Sequence, residues 1–271
     1  MPDEVKKLGL IAGGGKFPLI VADSARKHGL RVIAVAHKGE TDPLLAKSVD
    51  EITWINLGQL GRLIHILKKN GVHEALMAGT VSKRRMFEKV KFDLKGISLI
   101  SRLAIFHDDN ILRAVASQLA KEGIEIVSST QFLPELLAPT GCLTEKRPGK
   151  KEMEDIQLGW KIAKELGRLD IGQCVVVRNG TVLALEAIDG TNETIMRGGK
   201  LAGENAVVVK VSKPDQDLRF DVPSVGLETI TIMSQVKASV LAVEAGKTLL
   251  FDRKEMIDYA DKAGISIVSR E

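Results

Sequence analysis

Short apolar segments alternate with longer amphipathic segments through the first half of the chain, and this alternation restricts the fold more than any other feature. The apolar segments are residues 8–13, 31–37, 51–57, 74–80 and 124–129. The amphipathic segments are residues 17–29, 59–71 and 108–123. Each amphipathic segment ends in a glycine that follows a turn containing lysine, as helices commonly do. This pattern indicates a mostly parallel sheet covered by helices, so we predict an α/β domain of Rossmann-like type.

The second half of the chain mixes strand and helix signals in a less regular order. The dipeptide Asn179-Gly180 lies between two β-rich runs and is the strongest short signal for a β-hairpin. Residues 239–252 predict a second hairpin that turns near Gly246. Because helical patterns flank these runs, the second half is predicted to be a mixed α+β domain.

A segment of mixed charge separates the two halves. Residues 131–150 contain three of the eight prolines and are predicted to be a linker. We therefore expect a Rossmann-like domain over residues 1–130 and a mixed α+β domain over residues 151–271.

The composition argues against several classes of protein. Aromatic residues make up only 4% of the chain, which is a poor supply for stacking on single-stranded nucleic acid, and the net charge of +4 is too small to indicate DNA binding. We therefore expect no nucleic-acid partner. Cys142 and Cys174 have no metal-type spacing around them, which favours free thiols in a reducing cytoplasm. The chain shows no secretory signal and no run of about 18 apolar residues, so we expect a cytoplasmic protein.

A glycine-rich loop joins the first predicted strand to its helix. Gly13, Gly14 and Gly15 would let the backbone approach a ligand, and amides at a helix start favour an anion such as phosphate. The loop differs from the dinucleotide fingerprint, because Pro18 occupies the place of a third glycine and the second strand ends in His37 rather than an acid. The alternative is a tight turn with Pro18 in the first helical turn.

Thr80 follows the fourth apolar segment of the first half, and Ser82 lies two residues further on. Carboxyl ends of parallel strands meet at one edge of a sheet, so both hydroxyls are expected near the glycine-rich loop. Either residue could instead cap a helix.

Two carboxylates and a hydroxyl follow the predicted hairpin. Glu186 falls at the strand end, Asp189 three residues later, and Thr191 at the start of a helix. Carboxylate oxygens suit a hard cation such as Mg²⁺, and a hydroxyl at a helix start can hold phosphate. The alternative makes Asp189 a turn residue and Thr191 a helix cap.

Acids alternate with a base shortly before Pro223. On a strand, Asp217, Arg219 and Asp221 would project from one face. Together with Lys210 and Lys213 just upstream, they provide acids for a metal and cations for phosphate oxygens, as magnesium-assisted attack on a phosphoanhydride requires. A surface ion cluster on an edge strand is the alternative.

Six basic residues interspersed with apolar ones occupy residues 83–95. A solvated charged face is the favoured interpretation, and an interfacial patch that meets anionic lipid is the alternative. Contact with the cytoplasmic face of the inner membrane therefore stays open, as does a homodimer.

Five segments occur in an order that points to a known family: LGLIAGGGKFP, AGTVS, GRLDIGQCVVV, LALEAIDGT and RFDVPSVG. Together they resemble the metal-dependent UDP-2,3-diacylglucosamine pyrophosphatases of lipid A biosynthesis, a family unrelated to calcineurin-like phosphoesterases. The resemblance covers nearly the whole chain and is strongest in residues 167–173, 186–191 and 221–226. Asp217 lies outside those segments, so the resemblance gives it no support.

The resemblance implies hydrolysis of UDP-2,3-diacylglucosamine to UMP and 2,3-diacylglucosamine 1-phosphate (lipid X), with water attacking the β-phosphorus. It also implies Mg²⁺ as cofactor, with Mn²⁺ as a substitute, and a cleft between a Rossmann-like and a catalytic domain that encloses the lipid nucleotide. The essential aspartate of the family falls on Asp221, to which we assign metal binding or water activation.

The remaining assignments rest on charge and position. They place Glu186, with Asp189 and Asp217 as lesser candidates, on the metal. Lys210, Lys213 and Arg219 are assigned to the diphosphate, and Thr191 to phosphate. Gly13 to Gly15 and Thr80 are assigned to the nucleotide or the sugar phosphate.

Two other functions remain open. A non-catalytic nucleotide- or lipid-binding protein would retain its ligand without turnover under any divalent metal. A nicotinamide-dependent oxidoreductase would need NAD(P) binding, and Pro18 and His37 count against it.

Overall fold

The computed structural model describes residues 6–81, 92–101, 108–214, 216–219 and 222–271. The described residues form two compact units. Unit 1 contains the described residues up to Pro134 together with residues 217–219. Unit 2 contains Glu135–Gln216 and Val222–Glu271. No helix in the described part of the chain is both long and apolar enough to cross a membrane. Asp221, Ser82 and most of the basic segment lie outside the described residues.

Unit 1 contains a parallel five-stranded sheet. Its strands are β1 (Lys7–Ala12), β2 (Arg31–His37), β3 (Glu51–Ile55), β4 (Glu74–Ala78) and β5 (Glu125–Ile126). Its described helices are α1 (Phe17–Lys27), α2 (Leu60–Lys69), α3 (Leu94–Ile100) and α4 (Asp108–Lys121), with short 3₁₀ turns at Pro43–Lys47 and Ser129–Phe132. The strand order is β3-β2-β1-β4-β5, and every neighbouring pair is parallel. The predicted α/β class is confirmed.

Apolar side chains of the helices and strands form the core of unit 1. Leu63 and Leu67 lie four residues apart on α2, so they share one helix face, and both are buried in one cluster with Ile33 and Val35 of β2. Burying a side chain of this size stabilises the fold by about 1.5–3 kcal/mol. The sheet is therefore fixed in position, and its strand ends can carry a site.

Unit 2 is built on a mixed six-stranded sheet. Its strands are β6 (Gly141–Cys142), β7 (Cys174–Arg178), β8 (Thr181–Leu185), β9 (Val207–Lys210), β11 (Val240–Glu244) and β13 (Ser266–Arg270), and a separate parallel pair consists of β10 (Ser224–Val225) and β12 (Leu249–Leu250). Its helices are α5 (Lys150–Arg168), α6 (Gly190–Ala202), α7 (Leu227–Gln235) and α8 (Arg253–Ala263), and a 3₁₀ turn spans Pro134–Leu136. The order is β6-β13-β11-β9-β7-β8, in which β9, β11 and β13 are parallel. The other neighbouring pairs are antiparallel.

Helices cover both faces of the unit 2 sheet. On β7, Cys174 and Val176 belong to the buried cluster that includes residues of α6, α7 and α8. Val175 and Val177 belong to the cluster that includes α5. Because successive side chains on a strand point to opposite faces, a strand covered on both sides needs the unbroken apolar run seen here.

The first predicted hairpin is confirmed. The turn residues Asn179 and Gly180 have φ values of 49° and 73°, as a tight turn between twisted strands requires. The buried carboxylate of Asp155 accepts hydrogen bonds from the Asn179 amide (2.8 Å) and the Gly180 amide (2.7 Å). Asp155 therefore ties α5 to the turn.

The second predicted hairpin, over residues 239–252, is wrong. The chain does turn near Gly246, whose φ is 68°, but β11 has β9 and β13 as neighbours on its two sides. With both edges of β11 occupied, β12 pairs instead with β10. Sequence reasoning recognised the turn but not the partners of the strands that flank it.

The predicted strand through Asp217 and Arg219 is also wrong. The described residues 217–219 form a loop and turn, and the nearest strand, β10, begins only after Pro223. These residues group with unit 1, although their neighbours on both sides group with unit 2. Part of the predicted linker is ordered as β6, which pairs with β13.

Candidate functional site

Polar groups collect along one edge of the unit 2 sheet, which we call the unit 2 edge. Lys210 ends β9 and is level with Val243 of β11 and with Cys174 of β7. Glu244 ends β11, and the amide of Glu186, just past β8, donates to the Cys174 carbonyl (2.9 Å). Since β9 and β11 both end here, this is the edge at which open α/β sheets bind ligands.

Glu186 is buried at the unit 2 edge and is hydrogen-bonded through both carboxylate oxygens. Oε2 accepts from the Gln173 amide (2.9 Å), and Oε1 accepts from Thr191 Oγ1 (2.7 Å). A Cβ on Gly172 would overlap the Glu186 carbonyl, so glycine is needed there. The GRLDIGQ and EAIDGT segments therefore meet at this carboxylate.

The alternative assignment is confirmed for Asp189, which lies in the turn before α6, but not for Thr191. Helix α6 begins at Gly190, and Thr191 contacts Glu186 instead of capping the helix. Asp189 Oδ2 accepts from Arg197 Nη2 (2.6 Å), and Oδ1 accepts from the Ala187 amide (3.0 Å). The hydrogen bond from Arg197 is the largest cause that lowers the pKa of Asp189. The Asp189 carboxylate is thus held by an arginine.

The two lysines near the end of β9 have different surroundings. Lys210 is only 8% exposed, and its Nζ donates to the Ser224 carbonyl (2.8 Å). Lys213 is partly exposed and pairs with Asp170, with 2.5 Å between Nζ and Oδ1. An incoming phosphate could replace Asp170 as the partner of Lys213, whereas Lys210 is enclosed.

Cys174 lies between the charged groups of the unit 2 edge. Burial, followed by the nearby charge of Glu186, raises the pKa of its thiol, and the charge of Lys210 opposes that shift. A thiol held in its neutral form is a poor nucleophile. Cys142 and Cys174 are both free, as predicted.

In unit 1 the glycine-rich loop and Thr80 are joined by backbone hydrogen bonds. The Gly13 amide donates to the Ala78 carbonyl (2.8 Å), the Gly14 amide to the Thr80 carbonyl (2.7 Å), and the Thr80 amide to the Gly14 carbonyl (3.1 Å). Thr80 thus lies beside the loop, as predicted. Because the amides of Gly13 and Gly14 are used within the protein, and those of Leu19 and Ile20 donate to the Lys16 carbonyl, anion binding by this loop would fall to the amides of Gly15 and Lys16.

Close approach explains the glycines of this loop pair. A Cβ on Gly13 would lie 2.6 Å from the Thr80 carbonyl oxygen, and a Cβ on Gly79 would lie 2.5 Å from the Gly14 carbonyl oxygen. Gly79 and Gly15 also have positive φ values, 91° and 82°. The turns after β1 and β4 therefore pack closely against each other.

His37 ends β2 beside this loop pair. Its Nδ1 donates to the Ala12 carbonyl (3.0 Å), which also accepts from Thr41 Oγ1 (2.7 Å). Burial lowers the pKa of His37, which favours the neutral ring. The sequence marked His37 only as a departure from the dinucleotide fingerprint, and the structure shows that it secures the end of β1.

Asp217 and Arg219 bind each other. Arg219 Nε donates to Asp217 Oδ1 (2.8 Å) and Nη2 to Oδ2 (2.6 Å), a bidentate pair. The pair lowers the pKa of Asp217 and raises that of Arg219. Ser128 Oγ donates to the Leu218 carbonyl between them (3.0 Å). Asp217 and Arg219, which we predicted to bind a metal and a phosphate, therefore bind each other.

The described residues do not form a ready-made metal cage. No three His, Cys, Asp or Glu side chains among them converge as a metal site. Asp189 and Asp217 are occupied by arginines. Mg²⁺ commonly keeps several waters and binds one or two carboxylates together with substrate phosphates. Such sparse coordination, for example through Glu186, fits the described residues better than a cage does.

Two α/β units, each with polar groups at the carboxyl ends of its strands, define a class of protein that binds ligands at sheet edges. Within this class, the chain belongs to the LpxI family: residues 7–136 match the LpxI N-terminal domain and residues 139–268 the LpxI C-terminal domain. It is 32% identical over 275 residues to the UDP-2,3-diacylglucosamine pyrophosphatase LpxI of Caulobacter vibrioides, covering 97% of each chain.

Two solved structures are weakly similar to this chain. The biotin carboxylase subunit of pyruvate carboxylase is 15% identical with a TM-score of 0.29, over 64% of this chain and 35% of that one. A biotin carboxylase from Campylobacter jejuni is 14% identical with the same TM-score of 0.29, over 73% of this chain and 42% of that one. This chain therefore spans less than half the length of either.

Proposed function

We propose that this chain is a UDP-2,3-diacylglucosamine pyrophosphatase of lipid A biosynthesis. It hydrolyses the diphosphate of its substrate to UMP and 2,3-diacylglucosamine 1-phosphate. One observation carries the proposal: both halves match the LpxI domains, and a relative that bears this activity in its name aligns over 97% of the chain.

Two charged side chains suit phosphate oxygens. Lys213 and Arg219 are partly exposed and now pair with carboxylates, so phosphate oxygens could take the places of Asp170 and Asp217. Their charges would stabilise the leaving phosphate. Asp221, which the family pattern selects, activates the attacking water, and that water attacks the β-phosphorus.

Mg²⁺ is part of the proposal, with Mn²⁺ as a substitute. Glu186 and Asp221 would be its protein ligands and the diphosphate would complete its coordination. When bound, the ion neutralises phosphate charge and lowers the pKa of a bound water. Thr191, already hydrogen-bonded to Glu186, keeps that carboxylate oriented.

The test is release of UMP from UDP-2,3-diacylglucosamine by the purified protein, with Mg²⁺, with Mn²⁺ and with EDTA, in ¹⁸O-labelled water. We expect turnover that requires the metal, with the label in the lipid phosphate. Label in UMP would mean attack at the α-phosphorus and would refute the mechanism. Ligand binding without turnover under any divalent metal would instead favour a binding protein.

We also propose peripheral contact with the cytoplasmic face of the inner membrane through the basic segment. Its described end supports this, because Phe92, Leu94 and Ile97 are 39%, 86% and 55% exposed next to the basic run. The protein should sediment with vesicles that contain anionic lipid, and charge reversal in residues 83–85 should release it. Equal binding to neutral vesicles would contradict this.

A further inference from the structure

Two buried charged residues hold the two ends of the segment between β9 and β10. This segment, residues 211–223, contains Asp221. Ser212 lies at its start and Ser224 directly follows its end. Glu244 binds the first of these serines and Lys210 binds the second. The two charged residues end neighbouring strands of the unit 2 edge.

At the start of the segment, Glu244 is the buried centre of a hydrogen-bonded network. Its Oε2 accepts from the Ser212 amide (2.8 Å), from Ser212 Oγ (3.0 Å) and from Lys164 Nζ (2.6 Å). Its Oε1 accepts from Lys247 Nζ (2.9 Å), and Lys164 also donates to the Ser212 carbonyl (2.9 Å). Every hydrogen-bonding group of Ser212 is therefore held.

At the end of the segment, Lys210 binds the backbone as Glu244 does at the start. Its buried Nζ donates to the Ser224 carbonyl. The backbone beside Ser224 is also fixed, because the Leu249 amide donates to the Pro223 carbonyl (2.8 Å) and the Phe251 amide to the Val225 carbonyl (2.9 Å). The distance between the ends of the segment is thus set by the β9–β11 pair.

Stability alone does not account for this arrangement. Burying charges is costly even when they are paired, and apolar residues of similar volume would commonly do as well. The charges lie where the ligand binds in sheets of this kind, and each binds the backbone at one end of the same segment. A network of this type fixes a chain in one geometry, which a reacting group requires.

We propose that Glu244 and Lys210 are positioning residues: they fix the two ends of the segment that carries Asp221, and turnover depends on those ends being held. This rests on the proposed function for the role of Asp221. It also changes the assignment of Lys210, which acts on the backbone and does not bind the diphosphate. This role requires neither residue to touch the reacting atoms.

The experiment uses the full chain and three variants. Glu244→Gln keeps the shape but leaves two lysines without their carboxylate, and Lys210→Met removes the bond to Ser224. Asp155→Asn is the matched control, because Asp155 is also a buried carboxylate on backbone amides, 4% exposed against 5% for Glu244. It holds the Asn179-Gly180 turn at the opposite edge of the same sheet.

For each variant, kcat, KM, the melting temperature and deuterium exchange of peptides covering residues 213–223 are measured. We expect Glu244→Gln and Lys210→Met to lower kcat by about 10- to 100-fold with KM within about threefold. Exchange should rise in the segment and stay unchanged in β7 and β8. Asp155→Asn should lower the melting temperature but leave kcat and exchange of the segment as in the wild type.

Three results would overturn the proposal. One is wild-type kcat in both edge variants. Another is a rise in KM for Lys210→Met with kcat retained, which would mean direct phosphate binding. The third is unchanged exchange of the segment, and this readout needs no turnover. If wild-type protein released no UMP, the proposed function would fail, while exchange would still decide whether the segment is held. If Glu244→Gln did not fold, Lys210→Met would carry the test.

Discussion

At the scale of single residues, the carboxylates of the site differ in what already holds them. Asp189 and Asp217 are each bound by an arginine, and Glu186 is bound by a threonine and a backbone amide. An acid paired with arginine is less available to a water or a metal, because that pair must first be broken. This counts against Asp217 as the catalytic acid, and the family pattern does not select Asp217 either.

Replacement of Asp221 by alanine should therefore abolish hydrolysis and leave substrate binding. Removing a group that activates water costs about 10²–10⁴-fold in rate, whereas contacts to the lipid and nucleotide persist. Turnover and equilibrium binding are measured on the same preparation. Asp217→Ala, which removes the arginine-bound acid, is the comparison and should cost less than about tenfold. Substantial turnover by the Asp221→Ala protein would remove this assignment.

Glu244 should make the stability of unit 2 depend on pH. Burial opposes ionisation of its carboxyl, but hydrogen bonds from Lys164 and Lys247 outweigh it, so the pKa of Glu244 is lowered from its ordinary value of 4.5. A lowered folded-state pKa stabilises the fold fully above that ordinary value, and the stabilisation is lost as the pH falls through the folded-state pKa.

The Glu244→Gln variant should accordingly be less stable than the wild type by about 2 kcal/mol at pH 7, and the difference should shrink below pH 4.5. Urea unfolding followed by Trp160 fluorescence in a Trp54→Phe background reports on unit 2, since each unit has one tryptophan. A difference that stays constant between pH 7 and pH 4 would show that the charge of Glu244 contributes nothing.

At the scale of elements, the joined turns after β1 and β4 make a strong prediction about glycine. Gly79→Ala combines a φ of 91° with a Cβ that would lie 2.5 Å from the Gly14 carbonyl oxygen. We expect a loss of about 3 kcal/mol in the unfolding free energy of unit 1, because backbone strain and overlap add. Trp54 fluorescence in a Trp160→Phe background gives the measurement.

Gly29→Ala is the control for that prediction. Gly29 has a similar φ of 76°, but its added Cβ would meet no atom within 4 Å. Only the strain of the left-handed conformation remains, about 1 kcal/mol. If the two variants lost equal stability, the close approach of the two turns would not exist in solution.

At the scale of the whole molecule, each unit carries its own core. The buried cluster of unit 1 runs from Ile11 to Ile126, and all five strands of that sheet lie before Pro134. A fragment of residues 1–134 should therefore fold alone, since that length is typical of a domain. Its urea unfolding, followed by Trp54 fluorescence and circular dichroism, should be cooperative, and a gradual transition would contradict independent folding. A homodimer stays a prediction for light scattering to decide.

The sequence by itself determined the features that depend on neighbouring residues. Strand and helix periodicity in the first half predicted the parallel sheet, and Asn179-Gly180 predicted its hairpin, because backbone conformation at such sites is set locally. The ordered motifs identified the family in the same way. Glu186 was selected as a site residue from a strand end and Thr191 from a helix start, and the structure brings them into contact.

Only the tertiary structure decided which distant groups meet. β12 pairs with β10 because β11 is enclosed by β9 and β13, and no local pattern records that competition. The network of Glu244 with Lys164 and Ser212 joins residues up to 80 positions apart, and the sequence analysis passed over it. Periodicity places side chains on a face or at an end. The identity of their partners depends on strand order and helix packing, which arise from the whole core.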